Sequence, residues 1–415
     1  MSLQYREVPR GLWKYLRPCL KALSKPQRQH FATLIAGLAV HDNKTVQEIN
    51  DAFSEKDQSS LNRSIKGWDC ERLNELRLTH VQRRLPTRDG GLLIIDDQLA
   101  HKTGRHMEGA GMHRSGITKR VEWGHEIVNS YYTHPDWEFG YPIYADIFTN
   151  KDNRRYKYRP IKRIALEQVR YARAHRVRGV VCMDSLFYAD YVIHELDDLK
   201  ERYLVGAPST LKISVNRAPR VSLAEYFSNA TFNLKIIDGK GYYVSSVWAS
   251  IRGVGVRRIV CSYRAGDEDG KRFYVTKLKL PERELLTLLV CRWRIECWHR
   301  DAKQHLGLEK YQVRKDRAVR NVVLAVLFAY TALVLSLMHS TLRRVAGEMG
   351  RSLQTIGELC RFMRLAARNG WRWVTRILRE RPELLREVLN REVLVKNAKV
   401  CTYLALRDPK SILVP

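Results

Sequence analysis

Two short apolar runs, each closed by aspartate, constrain this chain most. Leu92-Leu93-Ile94-Ile95 runs into Asp96-Asp97, and Val180-Val181-Cys182-Met183 runs into Asp184. Four apolar residues without polar alternation suit a strand covered on both faces. Both runs are therefore read as buried strands that deliver carboxylates at their ends. Helical stretches lie between and after them, which indicates an α/β fold.

A third acid stands out on a helix opened by Pro281-Glu282-Arg283-Glu284, with Pro281 suited to a first-turn position. On a single helix Arg292, Glu296, Arg300 and Lys303 share one face, because they fall four, four and three residues apart. Ile295, Trp298 and Ala302 point elsewhere and can pack. Taken alone, that face reads equally as a solvated ion-pair stripe, and each Asp reads equally as a cap or turn residue. Their common arrangement, two strand-end Asp and then a Glu with cations in register, points to a shared site. Three converging carboxylates repel one another unless a cation sits between them, and hard oxygen ligands suit Mg²⁺ or Mn²⁺. Two such ions can activate an attacking oxygen and stabilise a leaving oxygen at a phosphodiester.

The chain carries 73 Lys and Arg against 44 Asp and Glu, a net charge of +29. The cations are spread along the sequence, so the expected partner is a polyanion such as nucleic acid, gripped by folded surface. With 415 residues and 45% hydrophobic content, the chain can bury a large core and should form two to four domains. Its eight cysteines form no CxxC pair and no zinc-ligand spacing, which fits a reduced cytoplasmic setting. The first residues lack the pattern of a signal peptide. Residues 322–338 carry no charge and approach the length of a membrane span, but their Ala, Tyr and Thr content reads as a buried core helix. No GxSxG and no GxxxxGK[ST] motif occurs, which removes a serine-hydrolase or ATP-driven reading.

Residues 1–88 read as helical, with helices expected over 26–40, 45–53, 57–66 and 69–84. The middle pair resembles a helix-turn-helix in which Thr45 and Glu48 form a capping box. Its second helix would expose Asn62, Arg63 and Lys66, side-chain types able to read base edges or hold phosphates. After the first Asp strand, Lys102 and Arg105 lie where substrate phosphate could approach, a position that reads equally as a solvated loop. Residues 207–280 are β-rich and read as an inserted sheet that includes Trp248. Beyond Asp316 the chain reads as helix with a basic amphipathic tail.

The helix string Arg292-Trp293-Arg294-Ile295-Glu296 through Arg300 and Lys303 resembles the Y-R-E-K motif of bacterial insertion-sequence transposases with a DDE triad. Arg292, Glu296 and Lys303 match its spacing, whereas Leu289 stands where the motif has Tyr. LLIIDDQLAHKTG is similar to the segment of the family's first Asp, mapped onto Asp96 with Asp97 as the alternative. VVCMDSLFY is similar to the segment of the second, Asp184. The resemblance is to the superfamily named after insertion sequence four, near its insertion-sequence-701 branch, and covers roughly residues 20–340.

It implies an RNase H-like core interrupted by a β-rich insertion. The parts would be a helical N-terminal DNA-binding domain (1–88), core segments (89–206 and 281–340), the insertion (207–280) and a basic helical C-terminal region (341–415). It also implies that Asp96, Asp184 and Glu296 bind two Mg²⁺ ions, with Mn²⁺ able to substitute. The reaction would be cut-and-paste DNA transposition, cleaving terminal inverted repeats and joining them to target DNA. A homodimer would work in a synaptic complex in the bacterial cytoplasm, associated with the nucleoid and not with a membrane. Arg292, Lys303 and Arg300 would contact DNA near the scissile bond. Trp248 is the aromatic of the insertion nominated to stack on a displaced base, against a core position in the inserted sheet. The alternatives are a catalytically inactive, domesticated DNA-binding protein derived from a transposase, and a metal-dependent structure-specific nuclease.

Overall fold

The computed structural model describes residues 12, 15–53, 57–116, 118–151, 158–338, 343–344, 347 and 353–364. Four helices come first: α1 (Lys25–Val40), α2 (Val46–Phe53), α3 (Gln58–Gly67) and α4 (Cys70–Gln82). Strands β1 (Leu92–His101), β2 (Gly111–Arg114), β3 (Val121–Thr133) and β4 (Tyr141–Phe148) follow, then helix α5 (Ile161–Ala174) and strand β5 (Val180–Met183). Next come α6 (Asp190–Asp198), β6 (Tyr203–Ala207), β7 (Lys212–Ser214), β8 (Val221–Ser222) and α7 (Leu223–Ser228). The chain continues through β9 (Asn233–Ile237), β10 (Lys240–Ile251), β11 (Gly255–Arg264) and β12 (Arg272–Thr276). It then forms α8 (Glu282–Arg292), α9 (Arg294–Gln304) and α10 (Asp316–Leu337).

These elements belong to two compact units. One comprises Met1–Pro86, Ala100–His125 and Trp298–Pro415, and the other Thr87–Leu99 and Glu126–Cys297.

In the first unit the helical starts are written in the sequence. Ser24 and Gln27 form a capping box on α1, Thr45 Oγ1 accepts from the Glu48 amide at 3.2 Å, and Asp69 accepts from the Arg72 amide at 3.1 Å. Around the uncharged segment the unit builds its core. α10 is the helix that residues 322–338 suggest, and 94% of its most apolar window is buried. Phe328 meets Phe31 edge-on at 5.0 Å, and Phe31 meets Trp68 in the same way. Several polar groups of this core find partners within it. Arg77 donates to Asn74 and to Thr331 Oγ1, and Asn321 Nδ2 donates to the Ile65 carbonyl at 2.7 Å.

In the second unit β1 pairs parallel with β5, and β5 parallel with β6. β4 pairs antiparallel with β3, which neighbours β1. The β-rich segment does not make a sheet of its own, as the sequence suggests. β12 pairs antiparallel with β6, β11 with β12 and β10 with β11, so the sheet continues outward. Every residue of β6 is buried, and a buried strand edge with unpaired amides and carbonyls would be costly; β12 satisfies it.

Two boundaries differ from the sequence reading in ways that matter for the site. β1 does not end at Asp96-Asp97 but runs on to His101; what ends there is its pairing with β5. The helix expected to carry Arg292 and Glu296 together is two helices. At Trp293 the amide bonds back to Val290 at 3.2 Å, a three-residue turn that closes α8 before α9 starts. Pro281 sits at the N-cap of α8, one place before the first turn. The expected basic C-terminal region lies outside the described residues except for 343–344, 347 and 353–364, of which 356–364 are helical.

Candidate active site

Strand register brings the two aspartates together. Ile95 stands opposite Met183 in the parallel β1–β5 ladder, so the next residues, Asp96 and Asp184, leave neighbouring strands at the same level. Asp184 also stands at the N-cap position of the short 3₁₀ turn Ser185–Phe187, its side chain making no capping bond there. Glu296 comes from the first turn of α9. All three acids line one cavity of about 720 Å³.

Strand alternation separates Asp96 from Asp97. Asp96 lines the cavity, and Asp97 is not among its lining residues. Burial, then the charges of Asp97 and Asp184, push the Asp96 carboxyl well above the usual carboxylate range, against the pull of Arg292. Asp97 is also pushed well up, by burial and then by its hydrogen bond to the Glu126 carboxyl.

Despite the break at Trp293, Arg292 Nη2 reaches Glu296 Oε1 at 3.0 Å. The Arg292 side chain is only 14% exposed, whereas that of Glu296 is 34% exposed. Arg294 anchors the start of α9 by donating to Thr133 Oγ1 at 2.9 Å and to the His134 and Pro135 carbonyls. Leu289, which stands in place of the motif's Tyr, lines the same cavity.

Sequence reasoning missed the opposite wall. Tyr242 of β10, Arg264 of β11, and Arg272 and Tyr274 of β12 line the cavity with the acids. The alternating pattern of β10 marks Tyr242 as outward-facing on one side. Only the β6–β12 ladder determines what it faces.

Trp248 is 43% exposed, beside Arg258 on the neighbouring strand, and does not line this cavity. It is not the core tryptophan of an inserted sheet either.

The other expected DNA contacts lie in the first unit. Asn62, Arg63 and Lys66 line a cleft there. The Arg105 guanidinium lies over the Trp123 ring at 5.1 Å. Arg300 is exposed beside Asp301, and Lys303 pairs with Glu309 at 3.3 Å.

Lys102 is not the open loop cation that the sequence suggests. It is buried; its ammonium donates to the Glu309 carbonyl at 2.9 Å and the Tyr311 carbonyl at 3.3 Å, and lies 3.2 Å from the Tyr311 ring centre. Burial brings its pKa down to about 7. The folded value is thus below the unfolded one, so between the two the unfolded chain binds the extra proton and stability rises with pH. Relative to Lys102→Met, the wild type should gain about 1 kcal/mol per pH unit from about pH 7 to about pH 10. Unfolding free energies measured across that range test this, and a constant difference between the two proteins would refute it.

Among the described residues, no three His, Cys, Asp or Glu side chains are grouped closely enough to hold a metal ion as they stand. The donor chemistry still fits a hard divalent cation. Asp96 is buried against two further carboxylates, a concentration of negative charge that such a cation offsets.

Carboxylates from adjacent parallel strands and a helix thus share a cavity with Arg264, Arg272 and Arg292 in a strongly basic chain. The family model described as "Transposase DDE domain" matches residues 112–332. That is more than half of the chain, and the protein belongs to this family. Asp184 and Glu296 fall within the matched segment and Asp96 lies ahead of it. Members act on DNA and generally use divalent metals. A search among curated proteins finds no match.

Proposed function

We propose that this chain is a cut-and-paste DNA transposase of the insertion-sequence-four superfamily, near its insertion-sequence-701 branch, with Asp96, Asp184 and Glu296 as its catalytic triad. The observation that carries this reading is the β1–β5 register, which sets Asp96 level with Asp184 in the cavity that Glu296 also lines. An RNase H-like core is the fold proposed to hold them, supported by the mixed sheet and its parallel β1–β5–β6 steps.

Asp96, Asp184 and Glu296 would hold two Mg²⁺ ions, with Mn²⁺ able to substitute. When bound, such ions activate an attacking oxygen and stabilise a leaving oxygen. The protein's own part is positioning. Arg292, buried between Asp96 and Glu296, fixes the Glu296 carboxylate and presents cationic charge to a phosphate. Arg264 and Arg272 give the opposite wall its grip on the DNA backbone.

In the first reaction water attacks phosphorus at the transposon end, the P–O3′ bond breaks and a 3′ hydroxyl is freed. In the second that hydroxyl attacks a phosphodiester of the target, forming a new P–O bond and displacing a 3′ oxygen. Arg105, Arg300 and Lys303 are proposed as further phosphate contacts. Two copies would pair the two terminal inverted repeats in a synaptic complex on the bacterial nucleoid.

The test uses labelled duplexes taken from the DNA flanking the coding sequence, incubated with full-length protein, with and without a divalent metal. Metal-dependent cuts at the element boundary, followed by joined products, are expected. Cuts that never yield joined products would indicate a nuclease, and binding without cuts a DNA-binding derivative.

A further inference from the structure

The row that carries the two aspartates runs further across the sheet. Asp96 and Asp184 stand level on β1 and β5, and the parallel β5–β6 ladder, in which Met183 faces Val205, puts Gly206 level with Asp184. In the β6–β12 ladder Gly206 stands opposite Tyr274. Directly opposed residues share a face of the sheet, so Asp96, Asp184, Gly206 and Tyr274 point to the same side. Gly206 has no side chain, and the Asp184–Ser185 backbone crosses where one would stand: a Cβ there would lie 2.6 Å from the Ser185 amide nitrogen. No β6 side chain therefore separates Tyr274 from the Asp184 turn.

Tyr274 lines the cavity with Asp96, Asp184, Arg292 and Glu296, and is only 6% exposed. A buried phenol usually finds a partner for its hydroxyl. Tyr15, Tyr132, Tyr203 and Tyr311 each do, with Leu335, Arg88, Arg257 and His125. Tyr274 does not: among the described residues, no group hydrogen-bonds its hydroxyl. Burial raises the phenol above its ordinary pKa, against the pull of Arg292, so the hydroxyl keeps its proton and can donate it to a hydrogen bond. From the α8 side the cavity receives Leu286, Leu289 and Val290, whose side chains cannot donate. Ser262 and Arg272, a facing pair that also lines the cavity, sit two residues away from the aspartate row.

We propose, on the basis of the transposase reading, that the Tyr274 hydroxyl donates a hydrogen bond to a non-bridging oxygen of the scissile phosphate, which makes Tyr274 a substrate-contacting residue beside the triad. Negative charge concentrates on those oxygens as the attacking oxygen closes on phosphorus. A donor fixed beforehand in a buried cavity stabilises that charge without having to reorganise. Tyr274 suits the task because its ring is held in the β6–β12–β11 ladders while its hydroxyl is left unpaired. It also complements Arg292, whose guanidinium is already bonded to Glu296. A neutral phenol adds a directed donor there without a further charge to be desolvated.

The test is Tyr274→Phe in the full-length protein, which removes the hydroxyl and keeps the ring. Single-turnover cleavage of flank duplexes in Mg²⁺ should slow by about 10²-fold, with wild-type binding to the same duplexes in EDTA and a wild-type melting temperature. The decisive substrates carry sulfur in place of one or the other non-bridging oxygen at the phosphate that wild type cuts. Sulfur is a poor hydrogen-bond acceptor, so with one of these two diastereomers the penalty of Tyr274→Phe should shrink to about threefold or less, while with the other it stays near its full size. An equal penalty on the oxygen duplex and both sulfur duplexes would make the hydroxyl structural and overturn the contact. So would a penalty that appears in binding alone. If wild type and Tyr274→Phe cut the flanks at the same rate, the transposase reading stands and only this contact falls. A wild-type protein that does not cut the flanks would remove both.

Discussion

Asp96→Asn should lower metal-dependent cleavage of element ends by about 10³-fold or more while leaving end binding intact. Asp184→Asn and Glu296→Gln should do the same. The informative comparison is Asp97→Asn. The two aspartates are adjacent in sequence, yet only Asp96 enters the cavity with Asp184 and Glu296. Asp97 is bonded to Glu126, and an Asn there can still donate to the Glu126 carboxylate. Asp97→Asn should therefore cost roughly tenfold, the scale of a supporting contact. Gel assays with labelled ends read both effects. Near-normal cleavage in Asp96→Asn, with loss in Asp97→Asn, would exchange their roles and discard the geometry argued from the β1–β5 register.

The second large effect comes from a residue without a side chain. Gly206 lies in β6 beside β5, and a Cβ there would stand 2.6 Å from the Ser185 amide nitrogen and 2.9 Å from the Asp184 carbonyl carbon. Both are backbone atoms, so no rotamer change can make room. Gly206→Ala must push the Asp184 turn away from β6 or force β6 off its ladder with β12. Overpacking of this kind costs about 1–3 kcal/mol of stability. A displacement of about 1 Å at a catalytic group costs about 10²-fold in rate. Cleavage should thus fall about 100-fold in a protein that still folds, with a lowered melting temperature. Wild-type cleavage in Gly206→Ala would show that the Asp184 turn can move without penalty, and would weaken the assignment of Asp184 to the triad.

Much of this site can be read without coordinates because its signals are local. A four-residue apolar run followed by Asp names a buried strand and its acid, and the spacing of Arg292 and Glu296 survives even the turn at Trp293 that divides their helix. The Arg292–Glu296 bond forms because one turn of tight helix still places the fourth residue back over the first. Lys102 and Trp248 mislead for the opposite reason. A lysine after a strand looks exposed and a tryptophan in a strand looks buried, but burial depends on what packs against them from distant parts of the chain. For Lys102 that is the segment carrying Glu309 and Tyr311. Trp248, among the described residues, stays 43% exposed.

The sequence by itself singled out the three acids that line one cavity, the net positive charge, the apolar helix that forms a core and the helical hairpin at Val46–Gly67, since each depends on residue type and short-range spacing. Only the tertiary structure decided between Asp96 and Asp97 as the cavity-facing acid and joined the β-rich segment to the central sheet through β12 and β6. The physical reason is the same in each case. Strand register, the choice of edge partner and the covering of a side chain are settled by contacts between residues far apart in the chain, whose free energies no local pattern encodes.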